Sequence, residues 1–386
     1  MSIPPAVTAL WVLSLALVPF AAGQRLIDPA TIPEEWRDFQ PPEDAPELAC
    51  RITTLKPKLN YSFRFQTGFL VQSPLGQFAG KAKRLATFVR VTPQTGQKQP
   101  TYFLTLARIP DIADPGADIE IGGGFVVGEG RYRVDLILTD EAGRFCTRDW
   151  NITAKLGRKE DDVPPGMPSG AVDEISLRKW TRGNKGTRIS ESGSRLTILL
   201  NASPAAPRRT RLGGYDRVLL LSSLASMVER LPARAVRLVV FSPDQQREIF
   251  REDDFEPSDF GEVARALEQL ELGTVHYDVL KNRRGQAELV GSLISEAVEE
   301  ENQSDAVVFL GPKPWYFDRI ERSLMPQPRQ PRFFYVQLRP IFVGATQPDT
   351  LMNAVKRMGG KTFQVFTPAD FAAGIRQILE ALEAGR

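Results

Sequence analysis

The chain has 386 residues with 49 basic and 47 acidic side chains, giving a formal net charge of +2. That balance excludes the strong global field on which nucleic-acid binding relies, and the length allows two or three domains. One histidine, His276, and two cysteines, Cys50 and Cys146, are too few for a zinc centre or a histidine-rich catalytic site.

The chain opens with an uncharged apolar run from Ala6 to Ala22, with small residues at Ala21 and Gly23. This pattern predicts a signal peptide over residues 1–23, cleaved before Gln24. No lysine or arginine precedes the run, which keeps an uncleaved anchor open as the alternative. About 17 apolar residues are nevertheless short for a bilayer span. After cleavage no membrane span is expected, and no cysteine follows to carry a lipid. The expectation is an exported protein of bacterial type, periplasmic or extracellular. An extended arm rich in proline and acid follows over 24–46.

Residues 47–156 change to a period of two. "LNYSFRFQTGFLVQ" sets Tyr61, Phe63 and Phe65 on one face, and "YFLTLARI" is a second, less regular strand. In "GEGRYRVDLILTDEAGRF" Tyr132, Val134, Leu136 and Leu138 alternate with Arg133, Asp135 and Ile137, and a turn follows at Asp140–Gly143. Short strands between turn signals predict an antiparallel β-sandwich. The glycines of "GGGFVVGEG" precede a strand rather than a helix, so they read as a loop and not as a dinucleotide fingerprint. Cys50 and Cys146 lie at the two ends of this region. In an oxidising compartment they are expected to form a disulfide, with two buried free thiols as the alternative.

Residues 157–193 are charged, carry Pro-Pro-Gly and hold few large apolar side chains, so they read as a linker whose middle can pair as a short strand. From 194 to 386 apolar strands alternate with helical periods, which predicts an α/β doubly wound domain with a mostly parallel sheet. Strands are expected at Leu196–Leu200, "AVRLVVFS", "DAVVFLG", "RFFYVQL" and "KTFQVF", with "REIF" returning antiparallel. "TVHYDVL" fits either a strand or a helix start. Helices are expected at Tyr215–Leu231, after an N-cap at Ser258, at Ala287–Glu301, in "DTLMNAVKRMGG" with its glycine stop, and in "PADFAAGIRQILEALE".

Two resemblances follow from these segments. The run Gly130-Arg131-Tyr132-Arg133-Val134, with Asp140 and Gly143, resembles the penultimate hairpin of immunoglobulin-like and fibronectin-like domains. The order of elements in 194–384, above all "NAVKRMGGKTFQVFTPADFAAGIRQIL" and "LGTVHYDVL", resembles the von Willebrand factor type A domain. That family holds a divalent cation at the strand C-termini through Asp-x-Ser-x-Ser, a distant Thr and a second Asp. Carried onto this chain, the motif falls on Asn201, Ser203 and Ala205, the Thr on Thr274, and the second Asp near Gly311 and Pro312. The resemblance therefore implies a degenerate metal-ion-dependent adhesion motif with both carboxylates missing.

Magnesium gives up water only to anionic oxygen, so no bound metal and no cofactor are expected. Asp216, Asp244 or Asp278 would supply a ligand if the register were shifted. The same edge carries Arg208, Arg209 and Arg211 after the first strand, and Lys281, Arg283 and Arg284 after "TVHYDVL". Lys313, Trp315 and Tyr316 follow "AVVFLG", and Arg339 follows "RFFYVQL". In a parallel sheet these loops share one edge, and arginine forks can hold carboxylates without a metal. The expected binding residues are thus Asn201, Ser203, Thr274, Arg208, Arg209, Arg211, Arg283, Arg284, Lys313, Trp315 and Arg339. The expected partner is a protein with an acidic segment. Solvated loop charges are the plainer reading of the same residues.

Catalysis is not indicated. Ser203 lacks the glycine-flanked elbow of a nucleophile, proline follows it, and His276 sits among alternating apolar residues as a structural side chain. A hydrolase, or a small-molecule or anion binder using the strand-edge crevice, is the alternative.

Overall fold

The computed structural model describes residues 24–32, 39, 43–78, 84–96, 99–109, 116–175, 193–205, 209–273, 279, 281–282, 284–299, 304–314, 320–321, 331–338 and 349–384. The expected signal peptide lies outside them. The described chain forms two compact units. The first holds residues up to Lys58, Gln66–Ala154 and Ser169–Glu174; the second holds Leu59–Phe65, Lys155–Pro168 and the residues from Ile175 onward.

The first unit is built of strands β1 (Arg25–Ile27), β2 (Arg51–Leu59), β3 (Phe65–Pro74), β4 (Arg84–Pro93), β5 (Thr101–Arg108), β6 (Asp118–Val127), β7 (Gly130–Asp140), β8 (Phe145–Ala154) and β9 (Val172–Glu174). They form two sheets, in the orders β1-β5-β4-β7-β8 and β2-β3-β6-β9. The alternation read in the sequence is that of β7, where Tyr132, Val134, Leu136 and Leu138 are fully buried. The Tyr132 hydroxyl donates to the carbonyl of Gly128 at 2.8 Å. Burial pushes that phenol up to about 12, so it remains a proton donor at neutral pH.

Phe103 of β5 stacks on Phe125 of β6 at 5.7 Å between ring centres, joining the two sheets through their cores. Cys50, just before β2, is disulfide-bonded to Cys146 in β8 across a sequence separation of 96 residues. A loop of that length corresponds to about 4 kcal/mol of lost unfolded-state entropy. Asp135, a charged side chain of β7, is also paired. Asp135 accepts from the Nε of Arg90 and of Arg133, each at 3.0 Å.

Two local readings are corrected here. Tyr61 and Phe63 do not continue a strand, because β2 ends at Leu59 and the chain turns over residues 60–64. Asn60 makes the turn: its Oδ1 accepts from the backbone N–H and hydroxyl of Ser62 and from the N–H of Arg64. Phe63 sits at φ 56 and is held there by its N–H to the Asn60 carbonyl and by Gly166 N–H on its own carbonyl. The second correction concerns Gly122–Gly124, which lie inside β6 and not in a loop. A Cβ on Gly123 would stand 2.2 Å from the Phe69 ring and 2.5 Å from the Gln24 carboxamide. Glycine is used there for close approach.

The second unit contains β10 (Ser194–Asn201), β11 (Ala233–Ser242), β12 (Arg247–Glu252), β13 (Ala306–Pro312), β14 (Arg332–Leu338) and β15 (Lys361–Val365). Its helices are α1 (Gly214–Arg230), α2 (Phe260–Gln269), α3 (Gly285–Val298), α4 (Thr350–Arg357) and α5 (Pro368–Glu383). The sheet order is β12-β11-β10-β13-β14-β15. β12 returns antiparallel on β11, as "REIF" suggested, and the remaining pairs are parallel.

Alternation along each strand feeds two apolar layers. Leu196, Ile198 and Leu200 of β10, with Val308 and Leu310 of β13, pack with Leu224 of α1, Leu267 of α2 and Ile378 of α5. Leu199, Val307, Phe309 and Tyr335 point to the other layer, with Val290 and Ile294 of α3 and Leu351 of α4. A sheet covered on both faces requires strands that are apolar throughout, which is why these segments read as continuous apolar runs.

Of the two helix ends expected from the sequence, the glycine stop of α4 is found and the Ser258 cap is not; the cap of α5 was not anticipated. Thr367 and Asp370 cap α5 reciprocally, and Gly359, at φ 73, ends α4. At the start of α2 the cap is not Ser258. A single 3-10 turn covers Pro257–Asp259, and Asp259 accepts from the N–H of Glu256 at 2.8 Å. The expected "TVHYDVL" element falls largely outside the described residues.

Tyr61 and Phe63, which belong to this unit, pack against Phe371 of α5 at 5.7 and 5.8 Å. The hydroxyl of Ser226 in α1 donates to the Tyr61 carbonyl at 2.7 Å.

Candidate functional site

The strand order places a topological switch point between β10 and β13, because the chain leaves β10 toward β11 on one side and meets β13 on the other. In open α/β sheets the crevice outside the strand C-termini at such a point is where ligands bind. Here it is occupied by the protein's own side chains. Asn201, the last residue of β10, lies beside Gly311 of β13. At φ 143, and with a Cβ that would come within 2.6 Å of the Asn201 carbonyl oxygen, Gly311 admits only glycine.

Asn201 Nδ2 donates to the carbonyl of Pro312 at 2.8 Å. Its Oδ1 accepts from the N–H and the hydroxyl of Ser203, at 3.1 and 2.8 Å. Both side chains are fully buried. The pair therefore stitches the ends of β10 and β13 together from within and presents no atom to solvent.

The network continues along the edge. The Tyr335 hydroxyl lies 3.4 Å from the Pro312 carbonyl and 3.4 Å from Asp349 Oδ2. Gln337 Nε2 also donates to Asp349 Oδ2, and the other carboxylate oxygen accepts from Met352 N–H at 2.9 Å, capping α4. Burial raises the Asp349 carboxyl above its ordinary range. The Met352 N–H, the charge of Lys313 and the Tyr335 hydroxyl pull the other way. On the β10 side, Asp216 clamps the returning loop. Its two oxygens accept from Ala205 N–H at 3.0 Å and Gly213 N–H at 2.9 Å.

This donor set does not fit a divalent cation. The Asn201 amide oxygen is already taken by Ser203, and the carboxylates of Asp216 and Asp349 are committed to backbone N–H groups. Among the described residues no group of three or more His, Cys, Asp or Glu side chains converges. Asp244 is also raised by burial, and Asp278 lies outside the described residues.

The expected contact residues separate into three sets. Asn201 and Ser203 form the buried stitch. Arg209 is exposed, Arg211 pairs with Glu271 at 3.1 Å, Arg284 pairs with Glu321 at 2.6 Å, and Lys313 follows β13, half-buried near Asp349. Thr274, Arg208, Arg283, Trp315 and Arg339 lie outside the described residues, as does His276.

Sequence reasoning missed Tyr335, Gln337 and Asp349, and named Asp216 only as a metal ligand in a shifted register. Three of the four left a signal. Gln337 is a lone polar residue near the end of an apolar strand, and Asp216 and Asp349 stand where helix starts place acids.

No family model matches the chain, and no curated protein matches it. Among solved structures, the ApaA protein of Bordetella pertussis is 10% identical, covering 29% of this chain and 99% of its own, with a TM-score of 0.18. A calcium-binding mutant of Bacteroides uniformis beta-glucuronidase 2 is 8% identical, covering 80% of this chain and 38% of its own, with a TM-score of 0.16. Neither likeness carries a function to this chain.

Proposed function

We propose that this is an exported, non-enzymatic protein-binding or scaffolding protein, which uses the strand C-terminal edge of a von Willebrand A-like domain without a metal. The reading is supported by the sheet order. Numbered within the second unit, the strands run 3-2-1-4-5-6 with the third antiparallel, and a capped terminal helix follows the last strand. The preceding sheets support an immunoglobulin-like or fibronectin-like sandwich. Leaving aside β1 and β9, strands one, two and five share a sheet, and strands three, four, six and seven share the other. Tyr132, bonded back to Gly128, stands where such domains keep a corner tyrosine.

The observation that carries the binding mode is the closed Asn201–Ser203–Pro312 stitch. It replaces what would be an ion and its acidic ligands with neutral hydrogen bonds. A partner then meets the loops above the stitch, where the cations stand. The Arg211–Glu271 and Arg284–Glu321 pairs are more than half exposed on both sides, and such pairs are worth about 0–1 kcal/mol. A partner carboxylate can therefore exchange with either glutamate at little cost. Asn201 and Ser203 act as supports, and Arg208, Arg209, Arg211, Arg283, Arg284, Lys313 and Arg339 supply the contact charge. Thr274 and Trp315 belong to the same expected contact set.

A fluorescent oligoglutamate peptide tests this reading by anisotropy. Binding is expected to weaken with salt, to be indifferent to EDTA, and to fall about tenfold or more when Arg208, Arg209 and Arg283 are replaced together by alanine. Equal binding by the triple variant would end the arginine-face reading.

A further inference from the structure

The first described residue, Gln24, is built into the fold by its side chain. Its Oε1 accepts the N–H of Gly124 at 2.7 Å, which fixes the orientation of the carboxamide, because only the oxygen can face a donor. Gly123 admits it, since a Cβ there would reach within 2.5 Å of that oxygen. The other half of the amide is unsatisfied: Nε2 is buried and has no hydrogen-bond partner among the described residues. A buried primary amide that uses only its oxygen is a poor use of glutamine, because the unpaired NH2 is stripped of water for nothing.

The same residue follows the signal-peptide pattern, and cleavage before it would make its α-amine the chain terminus. An N-terminal glutamine can close on itself, and closure removes the unpartnered atom. We propose that Gln24 of the exported protein is a modification site that matures to pyroglutamate, with the lactam oxygen kept for Gly124 N–H and Nε2 discarded. This rests on the export reading above.

The chemistry is self-contained. The free α-amino nitrogen attacks Cδ, the N–Cδ bond forms, and the Cδ–Nε2 bond breaks. The former amide nitrogen leaves as ammonia, carrying a proton from the amine. No oxidant, reductant or co-substrate is consumed. The ring nitrogen retains one N–H, and the positive charge of the terminus disappears. That charge would otherwise sit on a half-buried residue at the start of β1, whose Arg25 pairs with Leu104 of β5.

The experiment is mass spectrometry and Edman sequencing of the full chain, expressed with its own leader and recovered from the exported fraction. The expected product begins at position 24, is lighter than the glutamine form by one ammonia, and is refractory to Edman degradation. The Gln24→Ala variant, exported in parallel, should carry a free amine at the same position. A mature chain beginning with an unmodified Gln24 would overturn cyclisation and leave the export reading standing. A chain in that fraction that keeps its leader or begins elsewhere would overturn cyclisation, and a chain absent from the exported fraction would overturn the export reading with it.

Discussion

The two units place their polar groups differently. In the first, charge stays on the strands and is paired where it stands: Asp135 lies between Arg90 and Arg133, and Asp140 accepts from Arg144 Nε at 2.7 Å. A disulfide then ties one sheet to the other. In the second, Arg237 of β11 and Arg251 of β12 are likewise paired, both with Glu296 of α3, and a further set of polar groups gathers at the strand C-termini. There the buried Asn201, Ser203, Tyr335 and Gln337 and the half-buried Asp349 form one line. The difference teaches where function is free to vary. The α/β core rests on its apolar layers, so its C-terminal edge can exchange charged ligands for neutral hydrogen bonds without loss of the fold.

Breaking the cross-link should have the largest effect. Replacing Cys50 and Cys146 by serine is expected to cost about 4 kcal/mol in urea unfolding, with the lost hydrogen-exchange protection confined to the first unit. Protection lost equally from β10–β15 would show that the two units are not held by separate means.

Next is the stitch. Asn201→Ala leaves the Ser203 N–H and hydroxyl buried without their acceptor and takes from the Pro312 carbonyl one of its two donors, at a cost of about 2–3 kcal/mol. The same unfolding curves measure it. A cost near zero would mean that water takes the place of the carboxamide.

Asp349 gives a smaller, pH-dependent effect. Its folded carboxyl is raised by burial, so the folded state binds the proton more readily than the unfolded chain does. The contribution is therefore favourable below the ordinary aspartate pKa and is lost as pH rises through the raised folded value. Asp349→Asn keeps a capping oxygen and cannot ionise. The difference in stability between wild type and variant should move in the variant's favour as pH rises from about 4 toward neutrality. A difference that is flat with pH would refute the burial argument. The smallest effect belongs to Arg211→Ala, which breaks an exposed pair with Glu271 and should change stability by less than about 1 kcal/mol.

Much of this architecture was legible in the residues. The alternation of β7, the unbroken apolar runs of β10, β13 and β14 and the glycine stop after α4 each carry a local physical signal. What escaped depends on contacts made at a distance in sequence. Tyr61 and Phe63 alternate like a strand, but Asn60 bends the chain and Phe371 receives the rings. Gly122–Gly124 look like a loop because nothing nearby reveals the Phe69 ring that excludes a Cβ. At the candidate site, Asn201 and Ser203 were found through a resemblance to a metal-binding motif. Their burial and their attachment to Pro312 were not, because the carbonyl they reach comes from a strand more than a hundred residues away.

The measurement that bears most directly on the central claim is calorimetric titration of magnesium and of manganese into the purified chain. An edge stitched by neutral hydrogen bonds predicts no saturable heat with either ion. Saturable binding in the micromolar range, abolished by Asn201→Ala, would contradict it.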